Sequence, residues 1–70
     1  MTHDQWMQEH SRLVAELAEL NGKRDELKRH ADYIPGPVLQ KRHFLFDRLE
    51  AGLLDDLAAL VELDRSGVVS

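Results

Sequence analysis

The chain has no cysteine, which excludes a disulfide framework and any zinc site built on Cys/His spacing. No apolar run approaches the roughly 20 residues needed to span a bilayer. The opening Met-Thr-His-Asp-Gln lacks the basic and apolar regions of a secretory signal, so a cytoplasmic location is expected. Catalytic constellations are missing too. Ser11, Ser66 and Ser70 lie far along the chain from His30 and His43, and there is neither a Gly-rich phosphate loop nor a His-Glu-x-x-His motif. An enzyme is therefore not expected, and no cofactor or metal is called for. A helix-turn-helix pattern is absent and the formal charge is −4, which argues against duplex nucleic acid as a partner.

The two prolines that the chain does have stand together, in Tyr33-Ile34-Pro35-Gly36-Pro37. This turn separates two amphipathic stretches. Thr2 and Gln5 have the spacing of a capping box, so a helix can start almost at once. Trp6, His10, Leu13, Leu17, Leu20, Arg24, Leu27, Ala31 and Ile34 then recur at alternating intervals of four and three, an unbroken heptad seam. His10 and Arg24 are its polar members. A polar residue in a seam fixes register or partner number at a cost in stability, and ligand binding is the other use open to Arg24. Asn21-Gly22 does not break the helix, because the seam continues in phase through Leu27 and a helical glycine costs only about 1 kcal/mol.

Pro35 disfavours helical geometry at Ile34, Gly36 allows the reversal, and Pro37 suits a helix start. The expected layout is a first helix over about 2–33, a turn at 33–37 and a second helix over about 37–65. The inner stripe of the second helix reads as Leu39, Phe46, Leu49, Leu53, Leu57, Leu60 and Leu63, with Leu45, Leu54 and Val61 widening the apolar arc. Gly67-Val68 resembles a helix C-cap, and Val69-Ser70 is expected to fray. Folding about the turn sets Leu27 level with Phe46, Leu20 with Leu53, Leu17 with Leu57, Leu13 with Leu60 and His30 with His43. Gly22 falls level with Gly52, marking either close packing or a ligand niche.

The fold class is thus all-α, a two-helix antiparallel hairpin. A lone hairpin of 70 residues buries too little surface to be stable unaided, and a homo-oligomeric helical bundle, dimer or higher, is expected.

Charge is unevenly placed. Residues 23–43 hold Lys23, Arg24, Lys28, Arg29, Lys41 and Arg42 against Asp25, Glu26 and Asp32, whereas the remainder holds three basic residues against ten acidic ones. The turn end is therefore basic and the end with both termini acidic, which steers anions to one end. Arg24, Lys28, Arg29, Tyr33, Lys41, Arg42 and His43 are the candidate ligand-binding residues. The cations and the second helix's N-terminus attract phosphate, and Tyr33 offers a stacking face for a base. Pairing of these cations with acidic residues of an antiparallel neighbour is the structural alternative.

The run Arg12-Leu13-Val14-Ala15-Glu16-Leu17-Ala18-Glu19-Leu20-Asn21-Gly22-Lys23-Arg24-Asp25-Glu26-Leu27, a short linker, and Leu39-Gln40 through Leu60-Val61 resembles short helical-hairpin accessory proteins encoded by phages and prophages. That resemblance implies a product acting against host defence, by capturing a nucleotide-like signal or by blocking a host protein through direct contact.

Overall fold

Local sequence sets the ends of both helices. In the computed structural model, which describes residues 1–69, α1 spans His3–Arg29. The Thr2 hydroxyl accepts from the Gln5 amide at 3.2 Å, and the Gln5 side-chain oxygen accepts from the Thr2 amide at 3.0 Å. The capping box is complete, and Asp4 in the first turn complements the helix dipole.

α1 ends at Arg29, short of the expected Tyr33. Ile34 precedes Pro35 and is held extended at φ −111°, ψ 129°, as the steric demand of the proline ring requires. The chain therefore leaves the α-helix early, through His30 and a single 3-10 turn at Ala31–Tyr33. Its last amides turn to nearer carbonyls: Tyr33 N–H donates to His30 O at 3.0 Å and Ile34 N–H to Ala31 O at 3.3 Å. Pro35 caps α2, which spans Gly36–Arg65. Pro37 falls in its first turn, where a missing amide hydrogen costs no helical bond.

At the far end Gly67 adopts φ 76°. Val68 N–H donates to Leu63 O and Gly67 N–H to Asp64 O, both at 3.2 Å, so the C-cap expected at Gly67-Val68 is a Schellman motif. Ser70, half of the segment expected to fray, lies outside the described residues.

The two helices pack as an antiparallel hairpin of 50 × 15 × 12 Å, without strands among the described residues. None of the described helices is long and apolar enough to cross a membrane. The α1 seam follows the heptad reading: Leu13, Leu20 and Leu27 are buried, and Trp6, His10, Leu17, Arg24, Ala31 and Ile34 are half-buried. Trp6 satisfies its indole N–H by donating to Leu60 O at 2.7 Å and stacks on His10 with ring centres 5.1 Å apart.

The α2 seam departs from the expectation. It runs Leu39, His43, Phe46, Glu50, Leu53, Leu57 and Leu60, so Glu50 is half-buried while Leu49 is 57% exposed. Alternating steps of four and three from Leu39 pass through Glu50 and miss Leu49. Helix geometry outweighs hydropathy here because Arg24, at the matching seam position of α1, gives the carboxylate a partner.

The glycines also differ from the expectation. An added Cβ at Gly22 or at Gly52 meets nothing within 4 Å, so neither residue draws the helices together. Gly22 sits on the outer face of α1 and Gly52 on one flank of α2, both exposed. Gly22→Ala and Gly52→Ala should each stabilise the protein by about 0.5–1 kcal/mol, whereas Gly67→Ala, at positive φ, should destabilise it. Urea unfolding of the three variants reads all three signs.

Candidate functional site at the turn end

Labelling the seam positions a and d, with Arg24, Glu50 and His43 at a, divides each helix into two flanks, g/c on one side and e/b on the other. In an antiparallel pair like flanks lie together, and the lining of the surface hollows bears this out. Along the g/c side runs a groove of two adjoining hollows. The larger, of about 480 Å³, is lined by Lys23, Glu26, Leu27, His30, Tyr33, Ile34, Arg42 and Phe46. The smaller, of about 220 Å³, is lined by Glu16, Glu19, Leu20, Lys23, Phe46, Leu49 and Leu53.

The larger hollow sits at the turn end, where α1 has ended and Tyr33 and Ile34 join its lining. Leu27, Ile34 and Phe46 form an apolar floor, and Tyr33, 86% exposed, stands on the rim. Lys23, His30 and Arg42 bring positive or ionisable nitrogen against Glu26 in the lining, and Lys23 Nζ also lies 3.7 Å from Glu19 in an exposed ion pair. The His30 Nδ1 lies 2.9 Å from Glu26 O. A carbonyl only accepts, so Nδ1 carries the hydrogen and Nε2 is left free. The α2 N-terminus contributes less than its position promises, since Pro35 and Pro37 carry no N–H and only Gly36 and Val38 offer free donors in the first turn.

Farther from the turn the same flank is self-paired. Arg12 bridges Glu9 at 2.9 Å and Glu16 at 2.7 Å. Its hydrogen bond to Glu9, with its charge, holds that carboxyl below the usual range against slight desolvation, and raises the arginine's own pKa.

Of the seven candidate residues, Tyr33 and Arg42 line the larger hollow. Lys28, Arg29, Lys41 and His43 line neither hollow: His43 is a half-buried seam residue, and the helical wheel sets Arg29 and Lys41 on the outer face and Lys28 on the e/b flank. Arg24 is committed within the seam. Its guanidinium nitrogens lie 3.1 Å from Asp47 and 3.5 Å from Glu50, with the Arg24 side chain 21% exposed. Nε and Nη2 lack an aligned acceptor, so the pairing is attraction between charges more than directed hydrogen bonding. Sequence reasoning missed Lys23 and His30 as hollow residues. Their signal was the heptad flank they share with Arg42, which charge density along the chain does not reveal. Among the described residues no three His, Asp or Glu side chains are grouped to hold a metal.

Compared with protein-family models, curated proteins and solved structures, the chain shows no match to any of them.

The seam ion pair makes its own prediction. Arg24→Leu leaves Glu50 half-buried without a partner and should cost about 1–2 kcal/mol, between the exposed and buried limits for such pairs. Arg24→Leu with Glu50→Leu should recover that loss. Chemical denaturation of the two single variants and the double variant gives the coupling energy, and additive losses would refute the pairing.

Proposed function

We propose that this is a non-enzymatic counter-defence protein of the phage type, which binds and sequesters an anionic, nucleotide-like signal in the turn-end hollow. It works as a homo-oligomer in the cytoplasm of the host cell. The observation that carries the reading is the hollow itself. Its volume of about 480 Å³ falls in the range of small-molecule sites, about 300–1,000 Å³. An apolar floor beside an exposed tyrosine suits a planar base, and Arg42 with Lys23 suits a phosphate. The placement of a basic end opposite an acidic one favours delivery of an anion to that hollow.

Support for self-association comes from burial. Among the described residues only Leu13, Leu20, Leu27 and Leu60 are buried, while eleven large apolar side chains stay exposed. A single domain with so thin a core gains its stability from further contacts. A second reading, an inhibitor or adaptor that blocks a host protein, draws on the exposed Leu45 and on the exposed acids Asp55, Asp56, Glu62 and Asp64 at the far end.

Thermal unfolding against a panel of linear and cyclic nucleotides separates these readings. At a ligand concentration one hundred times Kd the gain is about 2.7 kcal/mol, a shift of many degrees for a chain this short. Arg42→Glu and Tyr33→Ala should abolish the shift, while Arg29→Glu, outside the hollow, should preserve it. A folded protein whose Tm no nucleotide moves would sink the first reading and leave the second.

A further inference from the structure

The g/c flank holds the groove; the e/b flank holds a different surface. On α1 it carries, at steps of three and four, Asp4, Met7, Ser11, Val14, Ala18, Asn21, Asp25 and Lys28, every one exposed. On α2 the same flank carries Phe44, Asp47, Ala51, Leu54, Ala58, Val61, Arg65 and Val68, again all exposed. Phe44, Leu54, Val61 and Val68 are each at least 43% exposed, as are Met7 and Val14. The middle of this flank is free of charge on both helices, and its charges sit towards the ends.

We infer that the e/b face packs against the same face of a second copy of this chain, related by a two-fold axis across the hairpin, so that the turn end of each copy lies over the termini of the other. The inference rests on the self-association proposed above and names its surface and orientation. The face is self-complementary. In this arrangement α1 lies against α1 and α2 against α2, each pair antiparallel.

The midpoint of the α1 stripe falls between Val14 and Ala18, and that of the α2 stripe between Leu54 and Ala58. The seam pairing of Leu17 with Leu57 sets these midpoints within about two residues of level, roughly half a helical turn, so one axis serves both approximately. About that axis Asp4 meets Lys28, and Asp47 meets Arg65, so each charge pair has opposite signs. Phe44 meets Val68, a contact between large apolar groups that leaves the outer side of Phe44 to Arg48, whose guanidinium carbon is 6.0 Å from its ring centre.

Nearer the axis large faces small, with Leu54 against Ala58, Val61 against Ala51 and Val14 against Ala18, the alternation that lets helix layers interdigitate. Ser11 faces Asn21, polar against polar. Only Met7 against Asp25 is ill matched. The hairpin's 50 × 15 Å outline also gives a face on the order of the 800 Å² per partner that stable interfaces bury.

Sedimentation equilibrium and cross-linking of the full chain test this. The wild type should run at twice its 8.1 kDa chain mass. Leu54→Glu, at an exposed position that the hairpin itself does not need, should weaken the dimer about a hundredfold. Lys28→Glu should weaken it about tenfold, and adding Asp4→Lys should restore it.

Because the chain has no cysteine of its own, a mixture of Asp4→Cys and Lys28→Cys chains reports orientation, forming a mixed disulfide in preference to either self-linked product. An assembly indifferent to Leu54→Glu and Lys28→Glu, or self-linkage of each cysteine variant in preference to the mixed product, would overturn the proposed face and orientation while leaving self-association intact. A wild type monomeric at high micromolar concentration would overturn both.

Discussion

Two helices share only one seam, and in this chain that seam must set the register with little help. Its middle is mostly leucine against leucine, so a slip of one heptad would exchange many of those contacts for like ones, with Trp6, Ala31 and Phe46 the apolar exceptions. The Trp6 indole bond to Leu60 O makes such a slip expensive, and so does Arg24. In the observed register it lies between Asp47 and Glu50; one heptad away in either direction it would meet His43 or Leu57 and leave Glu50 half-buried without a cation. The ion pair thus buys uniqueness more than stability, which is the best-attested role of a polar group in a helical seam. The position of Phe46 beneath the turn-end hollow and the near-level alignment of the outer stripes both follow from the register that it sets.

A fixed register gives the hairpin two unlike sides. On one, charged residues of α1 flank a groove whose turn end is bounded by Tyr33 and Ile34. On the other, alanines and branched aliphatics of both helices form a flat stripe that water covers in the isolated chain. The division arises from α1 as much as α2: its g/c positions are Glu9, Arg12, Glu16, Glu19, Lys23 and Glu26, while its e/b positions from Met7 to Asn21 carry no charge. A helix that merely solvated its outer surface would spread charge over both flanks.

The fold was legible because its signals are local or strictly periodic. Thr2 with Gln5, the four-and-three spacing from Trp6 to Ile34, Pro35 with its restraint on Ile34, and Gly67 with Val68 each dictate one piece of geometry. The site was less legible, because closeness along the chain is a poor guide to closeness around a helix. Lys28, Arg29, Lys41 and Arg42 are crowded in sequence, yet successive helical residues point about 100° apart, so the four cations radiate around the hairpin and only Arg42 joins the hollow. Glu50 was misplaced for a related reason. Hydropathy favours Leu49 inside, and only the phase of the whole seam, with Arg24 waiting opposite, shows that the carboxylate takes the inner position.

Placing the second copy on the e/b face has a consequence for ligand capture. The groove lies on the opposite flank, so a two-fold dimer leaves both turn-end hollows open, one at each end of the assembly and too far apart to share a ligand. Each is then a complete site made from one chain. The two events still communicate through charge. In the proposed dimer, an anion held by Arg42 and Lys23 would lower the positive potential of the turn end, which would also draw in the acidic terminal end of the second copy. Ligand binding would then loosen the dimer slightly, and by reciprocity dimer formation would weaken ligand binding by the same factor. Salt screens both effects over the Debye length of about 8 Å at physiological ionic strength, so the coupling is largest where the two ends touch and leaves the apolar centre of the interface unaffected.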